Sequence, residues 1–342
     1  MKNKLVGLNR AELELFAESI GEKRFRGRQL FSWIYAKHAA SFEVMSDLGR
    51  ELRRKLAEEA GLEWMTLEQR AASPESGSVK YLFRLEDGAL IEAVYIPESG
   101  RRTLCISSQV GCALGCAFCA TGALGFRRNL TTGEIADQVL QAARETGEMP
   151  TNIVFMGMGE PFLNYEAVTA AAGLINNPDG IAVGHRHIVI STVGITPAIL
   201  RYADEAQPFR LAISLHSAID AKRRQIVPIA KRYPLPELLN AVKYYAKKAR
   251  RRPTFEYVLL AGFNDGEEDA DALRRLAAEV PCKVNLIPYN PALPGFERPD
   301  EASVTRFATW LSPLHAPVSI RWSKGTDINA ACGQLAGREG RI

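Results

Sequence analysis

The chain has 342 residues, of which 46% are hydrophobic, and a formal net charge of +4. This length fits one large domain or a barrel with an added module, and the apolar content is ample for a packed core. No uninterrupted apolar run approaches the roughly 18 residues expected of a membrane span, and the opening MKNKLVGLNR lacks the apolar segment of a secretory signal. Six cysteines, three of them clustered, fit metal ligation in a reducing compartment better than a disulfide framework. We therefore expect a cytoplasmic protein.

The first predicted elements form a small helical module. Asn9 and Glu12 make a capping box before the first helix, and apolar spacing predicts further helices over residues 28–40 and 46–61. Basic residues at positions 23–28 lie in the turn between the first two helices, where helix-turn-helix modules often contact nucleic acid. A packing module with a charged loop explains the same pattern equally well.

A β-hairpin is predicted after this module. Residues 79–84 and 90–96 have the composition of strands and flank Asp87-Gly88, which is typical of a hairpin turn. Glu92 interrupts the apolar run of the second strand. Most such glutamates lie on the solvent face of a sheet.

Strands and helices alternate in the remainder of the chain. The candidate strands cover residues 103–107, 152–156, 187–191, 210–215, 254–259, 283–287 and 318–322. The candidate helices cover residues 132–146, 165–175, 197–203, 235–249, 267–279 and 301–311. This alternation predicts a parallel sheet with right-handed crossovers, which is either an open sheet or a barrel.

A cysteine triplet follows the first strand of this sheet. Cys112, Cys116 and Cys119 have the spacing C-x3-C-x2-C among small residues, so that their thiolates can turn toward one place. Thiolates favour zinc and iron–sulfur clusters. Zinc loops usually supply four ligands, and no fourth Cys or His lies nearby. A [4Fe–4S] cluster on three cysteines would leave one iron open to a ligand; a lone zinc loop and coincidence are the alternatives.

Further candidates lie at or beyond strand ends. In MGMGEP, residues 156–161, the glycines let the backbone approach a ligand closely, and Glu160 can accept hydrogen bonds from an ammonium group. Cys332 lies beyond the last strand among small residues, and Cys105 lies on the strand before the triplet. A free cysteine is most often a small buried hydrophobe, which is our interpretation of Cys282.

The basic residues are concentrated in groups at positions 23–28, 127–128, 222–224 and 247–252. Such groups contact phosphates in nucleic-acid-binding proteins. Each group alone is explained as well by a solvated surface. Four groups in a chain of low net charge favour RNA as a partner.

Five short motifs in a fixed order identify a family that this chain resembles. The motifs are SSQ (107–109), RNLT (128–131), MGMGEP (156–161), ISLH (213–216) and ACGQL (331–335). Together with the cysteine triplet they resemble the radical S-adenosylmethionine (SAM) superfamily and, within it, the RlmN/Cfr-type RNA methyltransferases. The resemblance extends from about residue 92 to residue 337.

The resemblance implies a fold and a set of site residues. The fold is a partial (β/α)6 barrel of residues 101–342 with its site at the carboxyl ends of the strands, a helical accessory domain of residues 1–62 and a β-hairpin connector of residues 63–100. The implied cofactors are a [4Fe–4S] cluster, held by Cys112, Cys116 and Cys119, and SAM. The implied SAM-binding residues are Gly159, Glu160, Ser191, Ser214, Leu215, His216 and Asn290. For His216 alone, a satisfied core histidine would be the simpler interpretation.

The resemblance also implies a reaction with two SAM molecules, because the adenine carbons are too poorly nucleophilic for direct methyl displacement. Cys332 first takes a methyl group from SAM. A 5′-deoxyadenosyl radical then removes hydrogen from the S-methyl group, the carbon radical adds to the adenine, and Glu92 accepts the ring proton. Cys105 finally attacks Cys332, which releases methylated RNA and leaves a transient disulfide.

The resemblance implies 23S ribosomal RNA and transfer RNA as substrates, with 2-methyladenine as the product. It also implies an electron donor such as flavodoxin or ferredoxin, and we expect a monomer. A Cfr-type enzyme, which methylates C8, is the alternative within the family. Pro161 after Glu160 favours the RlmN pattern, since Cfr usually has Ala there. A non-catalytic iron–sulfur or zinc RNA-binding protein is the alternative from another class, but a binding protein has no need of Cys332 and Cys105.

Overall fold

The computed structural model describes residues 2–336. Its strands are β1 (Asn3–Lys4), β2 (Ala60–Gly61), β3 (Met65–Ala72), β4 (Val79–Leu85), β5 (Leu90–Glu98), β6 (Arg101–Cys105), β7 (Gln109–Gly111), β8 (Phe126–Asn129), β9 (Asn152–Phe155), β10 (Ile188–Thr192), β11 (Arg210–Ser214), β12 (Thr254–Leu259), β13 (Lys283–Pro288) and β14 (Val318–Ile320). Its helices are α1 (Arg10–Ser19), α2 (Phe25–Phe31), α3 (Arg50–Glu59), α4 (Ala120–Ala123), α5 (Thr132–Thr146), α6 (Tyr165–Asn176), α7 (Thr196–Asp204), α8 (Asp220–Ile226), α9 (Leu235–Ala249), α10 (Glu267–Ala278) and α11 (Glu301–Trp310).

One ten-stranded sheet organises the molecule, in the order β14-β13-β12-β11-β10-β9-β6-β5-β4-β3. The strands from β6 through β9 to β14 are parallel and follow chain order, and each crossover between them carries at least one helix. A cavity of about 620 Å³ is lined by side chains from β6 and from every strand between β9 and β14, so the sheet curls around it. This central cavity makes the parallel part a partial barrel, which confirms the predicted fold class.

The predicted hairpin is part of a larger antiparallel extension. β4 and β5 pair as predicted, but β3 pairs with β4 and adds a third strand that the sequence did not indicate. Because β5 also pairs antiparallel with β6, the extension and the barrel share one sheet. After β14, the ammonium group of Lys324 lies 3.5 Å from the carbonyl oxygen of Pro97 on β5, which brings the extension against the open side of the barrel.

Local sequence signals explain the helix boundaries. The Thr131 hydroxyl accepts from the Glu134 N–H at 3.1 Å, the Glu134 carboxylate accepts from the Thr131 N–H at 2.8 Å, and Gly147 ends the helix with φ +72°. This capping box and left-handed glycine place α5 where the sequence predicted it. The described part of the chain contains no helix that is both long enough and apolar enough to cross a membrane.

The N-terminal helices form as predicted, with two corrections. The capping box of Asn9 and Glu12 is present. The second helix begins at Phe25 rather than at residue 28 and continues as a π-helical turn to Ala36. The third begins at Arg50 rather than at residue 46, because turns closed by backbone hydrogen bonds precede it.

These helices pack directly on the barrel. The Trp64 indole N–H donates to the Val6 carbonyl at 2.7 Å, and the Trp64 backbone N–H donates to the Asp137 carboxylate on α5 at 2.8 Å. The Arg144 guanidinium, also on α5, donates to the Ala39 carbonyl at 2.8 Å. Apolar residues of the N-terminal helices and the barrel therefore belong to one continuous core.

Several cations of the basic groups are paired with carboxylates of the same chain. Arg24 and Arg28 both pair with Glu14, and Lys222 pairs with Asp269. Arg223 is buried, and its guanidinium donates to the carbonyl oxygens of Val193, Leu215 and Ser214 at the ends of barrel strands. The interpretation of positions 222–224 as a phosphate-contacting surface is therefore wrong for Arg223, which has a structural role.

Candidate functional site

The cysteine triplet lies in a loop that its own backbone holds in place. β7 and β8 pair antiparallel on either side of the loop. Within it, the Cys112 N–H donates to the Gly125 carbonyl at 2.7 Å, and the Cys119 N–H donates to the Cys116 carbonyl at 3.1 Å. The Ala117 N–H donates to the carbonyl of Ile226 at 3.0 Å, which attaches the loop to the end of α8.

All three thiols line one cavity of about 150 Å³ at the carboxyl ends of the strands, which we call the cofactor cavity. Burial raises the pKa of Cys112 to about 12, and burial together with its two neighbouring thiols raises the pKa of Cys116 well above its usual value. Within residues 2–336, no group of three or more His, Cys, Asp or Glu side chains is placed to hold a single metal ion.

This arrangement fits an iron–sulfur cluster. Three buried thiols that repel one another as thiolates need positive charge beside them. A cluster supplies that charge over several iron atoms, so its ligands need not converge on one point. The residues present can therefore hold a [4Fe–4S] group through Cys112, Cys116 and Cys119.

The glycine turn after β9 forms another wall of this cavity. Gly159 has φ +100°, and a Cβ there would lie 2.5 Å from the Cβ of Gln109. The Glu160 carboxylate accepts from the backbone N–H groups of Phe162 and Val193, each at 3.0 Å. Burial raises the pKa of Glu160 to about 7. The carboxylate is thus fixed in an apolar place where a cationic ligand group would favour its ionised form.

Gly159→Ala is expected to weaken SAM binding and to lower the free energy of unfolding by about 2–4 kcal/mol, because the left-handed φ and the contact with Gln109 both penalise a side chain. Gly173→Ala is the matched control, since Gly173 lies within α6 and a Cβ there meets nothing within 4 Å. Denaturant unfolding and equilibrium dialysis with SAM measure the two effects. Equal behaviour of the two variants would contradict this role of the turn.

The other predicted SAM-binding residues come together at strand ends, with one exception. Ser191 and Ser214, on neighbouring strands, place their hydroxyl oxygens 3.3 Å apart, and both line the cofactor cavity with Asn290 and His216. Leu215 does not line it, because its side chain points into the hydrophobic core.

His216 is held as a neutral ring. Its Nδ1 accepts from the Val258 backbone N–H at 3.2 Å, so the proton is on Nε2. The ring centroid lies 4.7 Å from that of Phe118, edge to face. Burial, with a smaller contribution from the Arg223 charge, lowers the pKa of His216 to about 3.

Cys332 lines both the cofactor cavity and the central cavity. Its segment is tied to the helix that follows the cysteine triplet: the Ala120 N–H donates to the Gly333 carbonyl at 2.8 Å, and the Thr121 hydroxyl donates to the Leu335 carbonyl at 2.6 Å. The Asn290 amide donates to the Cys332 carbonyl at 3.3 Å. The thiol is therefore fixed between the two cavities.

Cys105 lines the central cavity beside Cys332. Burial, with the neighbouring Cys332, raises the pKa of the Cys105 thiol to about 12. Arg321, which no sequence motif indicated, lines the same cavity and donates to the sulfur of Met156 at 3.8 Å. A charged residue directly after the last barrel strand was the signal that could have identified Arg321.

Glu92 is buried on β5 rather than solvent-facing. Its carboxylate lies 3.1 Å from the ammonium group of Lys80 and accepts from the backbone N–H of Ala336 at 2.9 Å. Glu92 thus lies under the segment that carries Cys332, although its side chain is not among those lining either cavity.

Family models match both parts of the chain. The ribosomal RNA large subunit methyltransferase N-terminal domain matches residues 3–62, and the radical SAM superfamily matches residues 106–275. The chain is 47% identical to a dual-specificity RNA methyltransferase RlmN of Anaeromyxobacter dehalogenans, over 98% of this chain and 92% of that protein. It is also 47% identical to a probable dual-specificity RNA methyltransferase RlmN of Thermus thermophilus, over 95% of this chain and 92% of that protein.

A solved structure agrees with these relatives. The crystal structure of a radical SAM methyltransferase from Sphaerobacter thermophilus matches with a TM-score of 0.94 and 43% identity, covering 98% of this chain and 100% of that chain. The similarity covers the N-terminal helices, the antiparallel extension and the barrel together.

Proposed function

The chain belongs to the RlmN family of radical SAM RNA methyltransferases, and from that premise we propose that it methylates C2 of an adenine in 23S ribosomal RNA and in transfer RNA. The observation that carries the proposal is the position of Cys332, which lines the cofactor cavity on one side and the central cavity on the other. A single thiol there can meet SAM and RNA in turn.

The cofactor cavity binds the radical-generating groups in this proposal. Cys112, Cys116 and Cys119 hold the [4Fe–4S] cluster, which together with SAM supplies one-electron chemistry when bound. Glu160 accepts from the methionine amino group, while Ser191, Ser214, His216 and Asn290 surround the rest of SAM. Burial of Glu160, Ser191, His216 and Asn290 limits the access of water to the reacting atoms.

Cys332 is the methyl carrier. Its thiolate attacks the methyl carbon of SAM, so that the new S–CH3 bond forms as the methyl–sulfonium bond breaks and S-adenosylhomocysteine leaves. Because adenine C2 cannot perform that displacement itself, the carrier must be a residue that also reaches the RNA cavity. Arg321 lines the same cavity and places a positive charge near this thiol.

Glu92 and Cys105 complete the transfer. Glu92 accepts the proton that leaves C2, and its hydrogen bond from Ala336 keeps it near the Cys332 segment. Cys105 then attacks the Cys332 sulfur and a disulfide forms. The electron pair of the breaking carbon–sulfur bond goes to the methylene carbon on RNA, which takes up a proton and becomes the methyl group. Burial raises the pKa of Cys105 to about 12, so this thiol is protonated in the free protein.

Two further parts of the proposal concern surroundings and organisation. All six cysteines are free thiols, which supports a reducing, cytoplasmic location. We also propose an electron donor such as flavodoxin or ferredoxin. We propose a division of the chain into an accessory domain of residues 1–62, a connector of residues 63–100 and a barrel of residues 101–342, although these parts share one core. Residues 337–342 lie outside the described part. We propose that the monomer is the active species.

The test is the identity of the methylated nucleoside. Anaerobically reconstituted protein is incubated with SAM, a reductant and ribosomal RNA, with transfer RNA in a parallel reaction, and the digested nucleosides are separated by mass spectrometry. We expect 2-methyladenosine from both RNAs. 8-Methyladenosine would assign the chain to Cfr-type chemistry, and no methylated adenosine from a protein with intact cluster would refute the proposed substrate.

A further inference from the structure

A cleft of about 340 Å³ lies at the opposite end of the barrel from the cofactor cavity, at the amino ends of β10 to β13. Its lining has no carboxylate among the described residues. The charged and titratable side chains that line it are His185, Arg186, Arg210, Arg251, Arg252 and Lys283. We call this the basal cleft.

Four cations of the basal cleft have no acidic partner among the described residues. The side chains of Arg186, Arg210, Arg252 and Lys283 are exposed, and none makes a hydrogen bond or ion pair with another described residue. Arg251 differs, because its guanidinium donates to the carbonyl oxygens of Gln207 and Pro208 and so has a structural role. Like charges held close together without compensation favour an anionic ligand.

The basal cleft is connected to the site of the reaction. Arg210, Thr254 and Lys283 line both the cleft and the central cavity, whose other end is lined by Cys105 and Cys332. The cations therefore lie around the mouth of the cavity that contains the two reactive thiols. A group that enters this mouth comes to the face of Cys332 opposite the cofactor cavity.

We infer that the basal cleft binds backbone phosphates of the RNA whose target adenine occupies the central cavity. This inference rests on the proposed function and adds to it the route by which RNA reaches the thiols. Guanidinium groups bind phosphate oxygens bidentately, and unpaired arginines are the side chains best suited to it. A concave site of this volume holds a phosphate or two, whereas an acidic protein partner requires a broad interface.

The test is the salt dependence of RNA binding by the double variant Arg186→Ala/Arg252→Ala, using reconstituted full-length protein and an unmodified transfer RNA transcript. Removing one phosphate-binding cation lowers the magnitude of the slope of log K against log salt by roughly 0.7–0.9. Because the variant removes two cations, we expect the slope to decrease in magnitude by about 1.5 and RNA binding at low salt to weaken about tenfold. Both replaced side chains are exposed and unpaired, so the melting temperature should not change.

Lys231→Ala/Arg232→Ala is the matched control. This variant removes the same charge at a distant place. Lys231 and Arg232 precede α9, whereas Arg252 lies just beyond its end, and the 15 residues of that helix span roughly 22 Å. We expect less than about a twofold change in affinity for this control, in line with the weak effect of distant exposed charges.

Several outcomes would overturn the inference. Equal RNA affinities of the cleft variant and the control variant would mean that the cleft does not contact RNA phosphates. Displacement of RNA by low concentrations of inorganic phosphate would make it a site for free phosphate. Unchanged RNA binding with impaired reduction by flavodoxin would assign it to a protein partner. Because binding is measured without turnover, failure of the wild type to methylate RNA is a separate result, and it concerns only the proposed function.

Discussion

Cys332→Ala is expected to lower RNA methylation by about a thousandfold or more while leaving RNA affinity nearly unchanged. No other thiol lines both cavities among the described residues, so the methyl group has no alternative carrier. The alanine occupies similar space and removes no hydrogen bond that fixes the segment, because Asn290 donates to the Cys332 backbone carbonyl. Quantitative mass spectrometry of the nucleosides and a filter-binding assay provide the two measurements.

Two further cysteine variants make this result specific. Cys282→Ala is the matched control, since Cys282 is buried beyond the other end of the barrel and should leave methylation intact. Cys105→Ala should instead form the bond between Cys332 and RNA without breaking it, so a protein–RNA species should survive denaturing electrophoresis. Sustained methylation by the Cys332 variant, or free RNA from the Cys105 variant, would show that the proposed carrier is wrong.

Cys116→Ala is expected to remove the iron–sulfur cluster and with it all RNA methylation. Iron content should decrease from about four atoms per chain to nearly none, because two cysteines cannot retain a cluster that needs three. The folded barrel should persist, since the Ala117 backbone hydrogen bond to Ile226 does not depend on the thiol. Iron analysis and visible absorption measure the loss, and circular dichroism measures the fold.

Cys282→Ala serves again as the control, with full iron content. Retention of iron and activity by the Cys116 variant would mean that the triplet does not bind the cluster. Retention of iron with loss of activity would indicate that another residue replaces Cys116 as ligand but cannot support the chemistry.

Local patterns predicted much of the fold. The limits of α5 were predictable because both of its ends are set by local residues. The capping box of Thr131 and Glu134 starts the helix, and the glycine after it ends the helix. β3 was not predictable in this way, because buried and exposed residues do not alternate regularly along it. Its pairing with β4 at the edge of the sheet is what makes it a strand. Arg223 was misjudged for a related reason: its neighbours are charged, while its own side chain faces inward from α8.

The site was predictable as residue types but not as an arrangement. Motifs indicated Cys105, Cys332 and Glu92 as candidates, yet the proximity of Cys105 and Cys332 follows from a curled sheet that brings β6 and the segment after β14 together. The position of Cys332 between two cavities is a property of the whole barrel. So is the basal cleft, since its cations come from four separate strand starts that share no sequence motif.

The bonds that tie the Cys332 segment to α4 have a consequence for the order of assembly. Because the parallel strands are added to the sheet in chain order, each strand–helix unit can dock on its predecessor during synthesis. The hydrogen bonds of Thr121 with Leu335 and of Ala120 with Gly333 join distant parts of the chain and can form only when the barrel is finished. Until that last docking event, the helix after the cysteine triplet lacks both of these hydrogen bonds to the Cys332 segment.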